Sequence, residues 1–137
     1  MKPYIHKAQF YETDKMGIIH HSNYIRWMES ARIDYMNQMG ASYHSLEEAG
    51  VGSPLLSVSC EYKSMVFFDD IVSIETKILS YNGIKIRIGY TMTNETTGKL
   101  CTTGETNHCF LNMQGQPVSL KKSYPQFHEA FMRSMEA

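Results

Sequence analysis

Tyr11-Glu12-Thr13-Asp14-Lys15-Met16-Gly17-Ile18-Ile19-His20-His21-Ser22-Asn23-Tyr24 places an acidic residue and a glycine bend just ahead of a long amphipathic segment. A helix start presents backbone N–H groups without intrahelical partners, together with the positive end of the macrodipole. Such an end polarises a carbonyl or holds an anion. A carboxylate at Asp14, beside that field, is suited to attack an electrophilic carbon or to take a proton from water. Gly17 lets the backbone bend closely past a ligand. An Asp shortly before a Gly also has a plainer use, because its side chain bonds its own backbone in a turn.

His20-His21 has the look of a metal pair. Adjacent residues diverge on a helix or strand, however, and no His or Cys stands three or four positions away to complete a site, so no metal centre is expected. His6, His44, His108 and His128 are scattered and read as surface or satisfied core residues. Glu61 and Glu105 alternate outward from apolar neighbours, as on a solvated sheet face. The ten methionines read as core filler, with Met16 beside Asp14 adaptable enough to shape a pocket.

The spacing of Tyr11, Asp14, Gly17, His21, Tyr24 and Trp27 resembles the motif of the 4-hydroxybenzoyl-CoA thioesterase family of hot-dog-fold acyl-CoA thioesterases, and the likeness extends over the whole chain. It implies that Asp14 is the catalytic carboxylate, nucleophile or general base on a thioester. The backbone N–H at His21 would hold the oxyanion, with Gly17 shaping the bend. Ile18, Ile19, Tyr24 and Trp27 would line or support the acyl pocket. The expected partner is an acyl-CoA or acyl-carrier-protein thioester, with neither cofactor nor metal. The same likeness implies a homodimer or homotetramer with sites between subunits, and Lys63, Lys85, Arg87, Lys121 and Lys122 are candidates to meet CoA phosphates. One departure stands out: relatives carry a Pro and a small residue where this chain has the bulky Ser64-Met65-Val66-Phe67-Phe68-Asp69-Asp70. The hydratases and dehydratases of the same fold use a His followed by a Phe-Pro-Gly run, which is missing here. A non-catalytic acyl-CoA-binding module would keep the pocket without needing Asp14.

The elements that would position these residues follow from periodicity. From Ser22 to Met39, Tyr24, Trp27, Met28, Ala31 and Tyr35 recur at helical spacing, with Ile25, Met36 and Met39 widening the apolar face and Gly40 as a stop. Glu29 and Arg32 are spaced to pair on the polar side. A shorter helix is expected over Ser42 to Ala49, with Ser45 and Glu48 at capping-box spacing and Gly50 after it. Residues 4–11 suit a first strand. Leu56, Val58, Cys60 and Tyr62, and then Val72, Ile74, Thr76 and Ile78, alternate as half-buried strands. Ile84, Ile86, Ile88, Tyr90 and Met92 alternate after an Asn82-Gly83 hairpin turn, and a turn over Asn94 to Gly98 precedes a strand over Lys99 to Met113. Gln114-Gly115-Gln116-Pro117 closes that strand, and a terminal helix over Tyr124 to Met135 presents Phe127, Phe131 and Met135.

A sheet of about five antiparallel strands curled around one long central helix buries one face of each. This α+β layout is the hot-dog arrangement; the pairing of the first strand within it rests on the resemblance. At 137 residues the chain suits one domain, 1–137, burying roughly two-thirds of its unfolded surface. Thirteen Lys and Arg against fourteen Asp and Glu leave a net charge of −1, so nothing favours nucleic acid or an anionic membrane. No signal peptide or membrane-spanning run is legible, which points to the cytoplasm. Cys60, Cys101 and Cys109 lack pairing motifs and read as small buried thiols.

Overall fold

The computed structural model describes residues 1–136. The helical pattern produces α1 over Ser22–Met39, ended by Gly40 at φ +88. Its buried face carries Tyr24, Trp27, Met28, Ala31, Tyr35, Met36 and Met39, whereas Ile25 points out and is exposed. Arg32 does not pair with Glu29. Its guanidinium reaches under the helix to the Tyr90 hydroxyl, 3.4 Å away. The second helix, α2, spans Tyr43–Glu48, and its N-cap is Ser42 rather than Ser45. Ser42 is extended and its Oγ takes the Ser45 N–H at 3.0 Å, satisfying an orphan donor of the first turn.

Five strands form one antiparallel sheet: β1 (Tyr4–Lys7), β2 (Leu55–Tyr62), β3 (Ile71–Tyr81), β4 (Lys85–Asn94) and β5 (Lys99–Cys109), in the order β1-β3-β4-β5-β2. The first strand pairs with β3, Tyr4 opposite Ile74 and Lys7 opposite Ile71. It is shorter than residues 4–11: beyond Lys7 only Ala8 bonds across, to Asp69 and Asp70, before the chain winds into a 3-10 turn over Phe10–Glu12. Ile86, Ile88, Tyr90, Met92 and Asn94 alternate inward along β4, as the period-2 pattern requires. Before it, Asn82 Oδ1 accepts from the Ile84 and Lys85 N–H groups and Gly83 takes φ +90, so Ile84 belongs to the turn. The last strand stops at Cys109 instead of Met113, and Leu111 pairs in isolated bridges with Gly52 and Pro117.

A four-residue helix unforeseen from the sequence, α3 (Leu120–Ser123), precedes α4 (Pro125–Glu136). The final helix buries Phe127, Ala130 and Phe131 but leaves Met135 exposed. The core lies between α1 and the sheet, where Trp27, Met28, Ile74, Met92 and Phe110 are almost fully buried; each such side chain contributes about 1.5–3 kcal/mol by leaving water.

The expectation of a half-buried β2 is not met. Within this chain β2 is a sheet edge, exposed at every residue except Cys60, which is half-buried. Its alternation is present in the sequence, but nothing among the described residues covers it. Cys101 is buried and Cys109 half-buried, and all three thiols are free.

Candidate active site

The segment between the 3-10 turn and α1 is a tight loop closed on itself. Thr13 bridges to Ile19. Inside that bridge the Asp14 N–H donates to the Ile18 carbonyl (2.8 Å) and the Gly17 N–H to the Asp14 carbonyl (3.1 Å). Gly17 sits at φ +76, the left-handed conformation that L side chains adopt only at a cost. The Asp14 carboxylate is exposed, and its Oδ1 accepts from the Met16 N–H at 2.8 Å and the Ile18 N–H at 3.3 Å. These two donors fix the carboxylate's orientation and leave Oδ2 outside the turn. Turn chemistry and availability for reaction therefore coexist in one side chain.

The loop is fastened to the start of α1. The His20 N–H donates to the Glu12 carbonyl at 2.9 Å, and the Ile19 N–H to the Val66 carbonyl at 2.8 Å. At the helix start His20 Nδ1 takes the Ser22 N–H at 3.2 Å, and the His20 carbonyl takes the Asn23 N–H at 3.0 Å. Among the described residues the His21 N–H donates to no protein acceptor. His21 is exposed with α-helical φ and ψ, at the position from which an N–H points out of the helix end. The rings of His20 and His21 do not diverge as expected of neighbours on one element; they stack with centroids 4.2 Å apart.

Behind the loop lies a group the sequence reading passed over. Glu12 is 5% exposed. Its Oε1 lies 2.9 Å from His6 Nε2 and takes the Gln9 N–H at 2.8 Å, while Oε2 takes the Trp27 indole N–H at 2.7 Å. Burial by itself pushes the carboxyl up, but the bonds from His6, the Gln9 N–H and Trp27 together outweigh it and hold Glu12 below the ordinary glutamate value. The spacing of Gln9 and Glu12, N-cap to N3 of a helical turn, was the available signal. Asn23, equally unremarked, sends its side-chain amide to the Glu12 carbonyl at 2.9 Å.

Of the four expected pocket residues, Ile18 is half-buried, while Ile19, Tyr24 and Trp27 are buried and support the loop from within. The Tyr24 ring meets Trp27 and Tyr62, and the Tyr62 hydroxyl reaches the His21 carbonyl at 3.5 Å. Burial, then Cys101 and Tyr62, pushes the Tyr24 phenol up. The bulky run at 64–70 forms the neighbouring wall: Ile18 bridges to Phe67, Phe10 meets Phe68 edge-on, and Met65, Phe67 and Phe68 are exposed. In the single chain Asp14 thus stands on an open, apolar-rimmed surface. Among the described residues no group of three or more His, Cys, Asp or Glu is placed to hold a metal ion. His108 is buried and bonded to Thr106 and Ser53, His128 meets the Tyr81 hydroxyl, and His44 pairs with Glu48 on the surface. Glu61 is exposed and Glu105 half-buried; they lie beside Lys63 and Arg87, occupying two of the cations suggested for CoA phosphates.

Residues 8–132 match the family model of the thioesterase-like superfamily. The chain is 30% identical, over 93% of each sequence, to YneP of Bacillus subtilis (strain 168), a protein whose name proposes an acyl-CoA thioesterase. It is 31% identical over 75 residues, 53% of each chain, to the 4-hydroxybenzoyl-CoA thioesterase of Pseudomonas sp. (strain CBS-3). In three dimensions it is similar to the DHNA-CoA thioesterase of Staphylococcus aureus, with a TM-score of 0.91, 34% identity and coverage of 96% of this chain and 89% of the other. Among the described residues no helix is long and apolar enough to cross a membrane.

Proposed function

The chain belongs to the thioesterase-like superfamily, and from that membership and the geometry of its loop we propose that it is an acyl-CoA thioesterase with Asp14 as nucleophile or general base. The observation that carries the assignment is the attachment of the Asp14 loop to the start of α1, through the 2.9 Å bond from the His20 N–H to the Glu12 carbonyl. That bond sets a carboxylate and the His21 N–H, which has no protein acceptor among the described residues, on one hydrogen-bonded segment. A thioester carbonyl is already electrophilic. Its carbon takes attack from Asp14 Oδ2, or from water deprotonated there, while the developing oxyanion is held by the His21 N–H and the α1 dipole. The C–S bond then breaks and CoA leaves as thiolate, taking the proton that water gives up. In the water route this releases the free acid at once; in the direct route water first hydrolyses the acyl–Asp14 anhydride and restores the carboxylate. Gly17 admits the substrate close to the backbone.

In this reading residues 1–137 are one hot-dog domain with the sheet curled around α1. It works as a homodimer or homotetramer in the cytoplasm. A second copy covers the exposed β2 edge and walls the crevice beside Ile18, Ile19, Tyr24 and Trp27, completing a pocket that is open in the single chain. The acyl groups in two relatives' names, 4-hydroxybenzoyl and DHNA, support trying aromatic acyl-CoAs first; carrier-protein thioesters come after. Thiol release from short, long, 4-hydroxybenzoyl and 1,4-dihydroxy-2-naphthoyl CoA esters tests this. Release from at least one is expected. Binding without release from all of them, carrier-protein thioesters included, would leave a non-catalytic acyl-binding module in its place.

A further inference from the structure

A carboxylate that is only 5% exposed is costly to keep charged, and a well-packed apolar side chain in its place is often no less stable. Glu12 is nevertheless fully bonded, and its bonds go to three separate segments: His6 on β1, the Gln9 N–H of the 3-10 turn, and Trp27 on α1. Its own carbonyl takes the His20 N–H and the Asn23 amide, both at 2.9 Å. One residue therefore anchors both ends of the stretch 13–20: the side chain fixes where the stretch begins, and the carbonyl fixes where it enters α1. Asp14 is two residues after the first anchor, and His21 is one residue after the second.

We propose that Glu12 is a positioning residue for thioester hydrolysis, its side chain locking the Asp14 loop onto Trp27 so that Asp14 and the His21 N–H face the same thioester carbonyl. The proposal rests on the assignment of Asp14 as the reacting carboxylate. Its physical basis is that a displacement of about 1 Å in a reacting group can cost about a hundredfold in rate without loss of binding.

Glu12→Gln keeps the shape but offers one acceptor oxygen and one NH2 where glutamate offers two acceptors. The Gln9 and Trp27 donors have fixed hydrogens, so one of them must face the NH2. The variant is expected to lose about thirtyfold in kcat with KM within about threefold, a split that a loss of positioning produces. In an Asp14→Asn background the same substitution should slow the enzyme no further, because it acts through Asp14. Trp27 is the one tryptophan in the chain, so its emission reports directly whether the bond to Glu12 is lost. Should Glu12→Gln fail to fold, Trp27→Phe removes the same bond from the other side, and the same kcat loss is expected. A kcat within twofold of wild type, or losses that multiply in the double variant, would overturn the role of Glu12 while leaving a slow Asp14→Asn to support the function. Full activity in Asp14→Asn itself would remove both.

Discussion

Met28 of α1 rests directly on Gly104 of β5. A Cβ at position 104 would lie 2.1 Å from Met28 Cε and 2.8 Å from the Ser59 carbonyl of β2. The methionine tip has room to swing, but the Ser59 oxygen belongs to the strand paired with Gly104, in which Cys60 stands opposite it, and backbone cannot yield cheaply. Gly104→Ala is expected to destabilise the protein by about 1–3 kcal/mol, the usual cost of overpacking. Urea unfolding checks this, and an unchanged midpoint would mean that α1 is not seated against the sheet as described.

The β2 edge is long, paired on one side, and exposes Leu55, Leu56, Val58 and Tyr62. Such an edge invites another strand, and a lysine on it discourages one. Sedimentation at micromolar concentration should find the wild type as a dimer or larger and Val58→Lys shifted towards monomer, with thiol release falling in parallel. A wild type that sediments as a monomer would refute the covering of this edge by a second copy.

His108 is buried, bonded to Thr106 and to the Ser53 carbonyl. Burial, and then the charge of Arg32, push it down to about 4, partly offset by the backbone bond to Ser53. Protons therefore bind the unfolded chain before the folded one, and stability present above about pH 6.5 is lost as the pH falls towards 4. At pH 5 the loss from this group is about 2 kcal/mol relative to pH 7. Glu12, held low, adds little between pH 7 and 5 and adds its own loss as the pH falls below the ordinary glutamate value of 4.5. Unfolding at fixed protein concentration should show the slope in the wild type and lose most of it in His108→Gln; equal slopes would contradict the assignment.

Much of this architecture is legible in the residues because local pattern and tertiary demand agree. The apolar stripe from Tyr24 to Met39 and the Gly40 stop define α1 at both ends, and the alternation from Ile86 to Met92 defines β4. Alternation in β2 is equally clear, yet it cannot say whether its own chain or another covers it. The same limit applies to Glu12. Its partners stand six residues before it and fifteen after it, and only the packing of β1 against α1 brings them together. At Asp14 the turn is legible from Asp14 and Gly17 alone, and the bonds to the Met16 and Ile18 N–H groups bear it out. The proposed catalytic use and the pocket it would serve cannot be read from local pattern, because they depend on which side chains meet there in space.

The most direct test is thiol release by Asp14→Asn beside the wild type, on whichever acyl-CoA the wild type cleaves fastest. Asparagine keeps the Oδ1 that accepts from Met16 and Ile18, so the loop should stand and the melting temperature should barely move. A loss of about a hundredfold or more in kcat is expected, as removal of a nucleophile or general base brings. A variant that hydrolyses at the wild-type rate would show that the Asp14 carboxylate serves the turn alone.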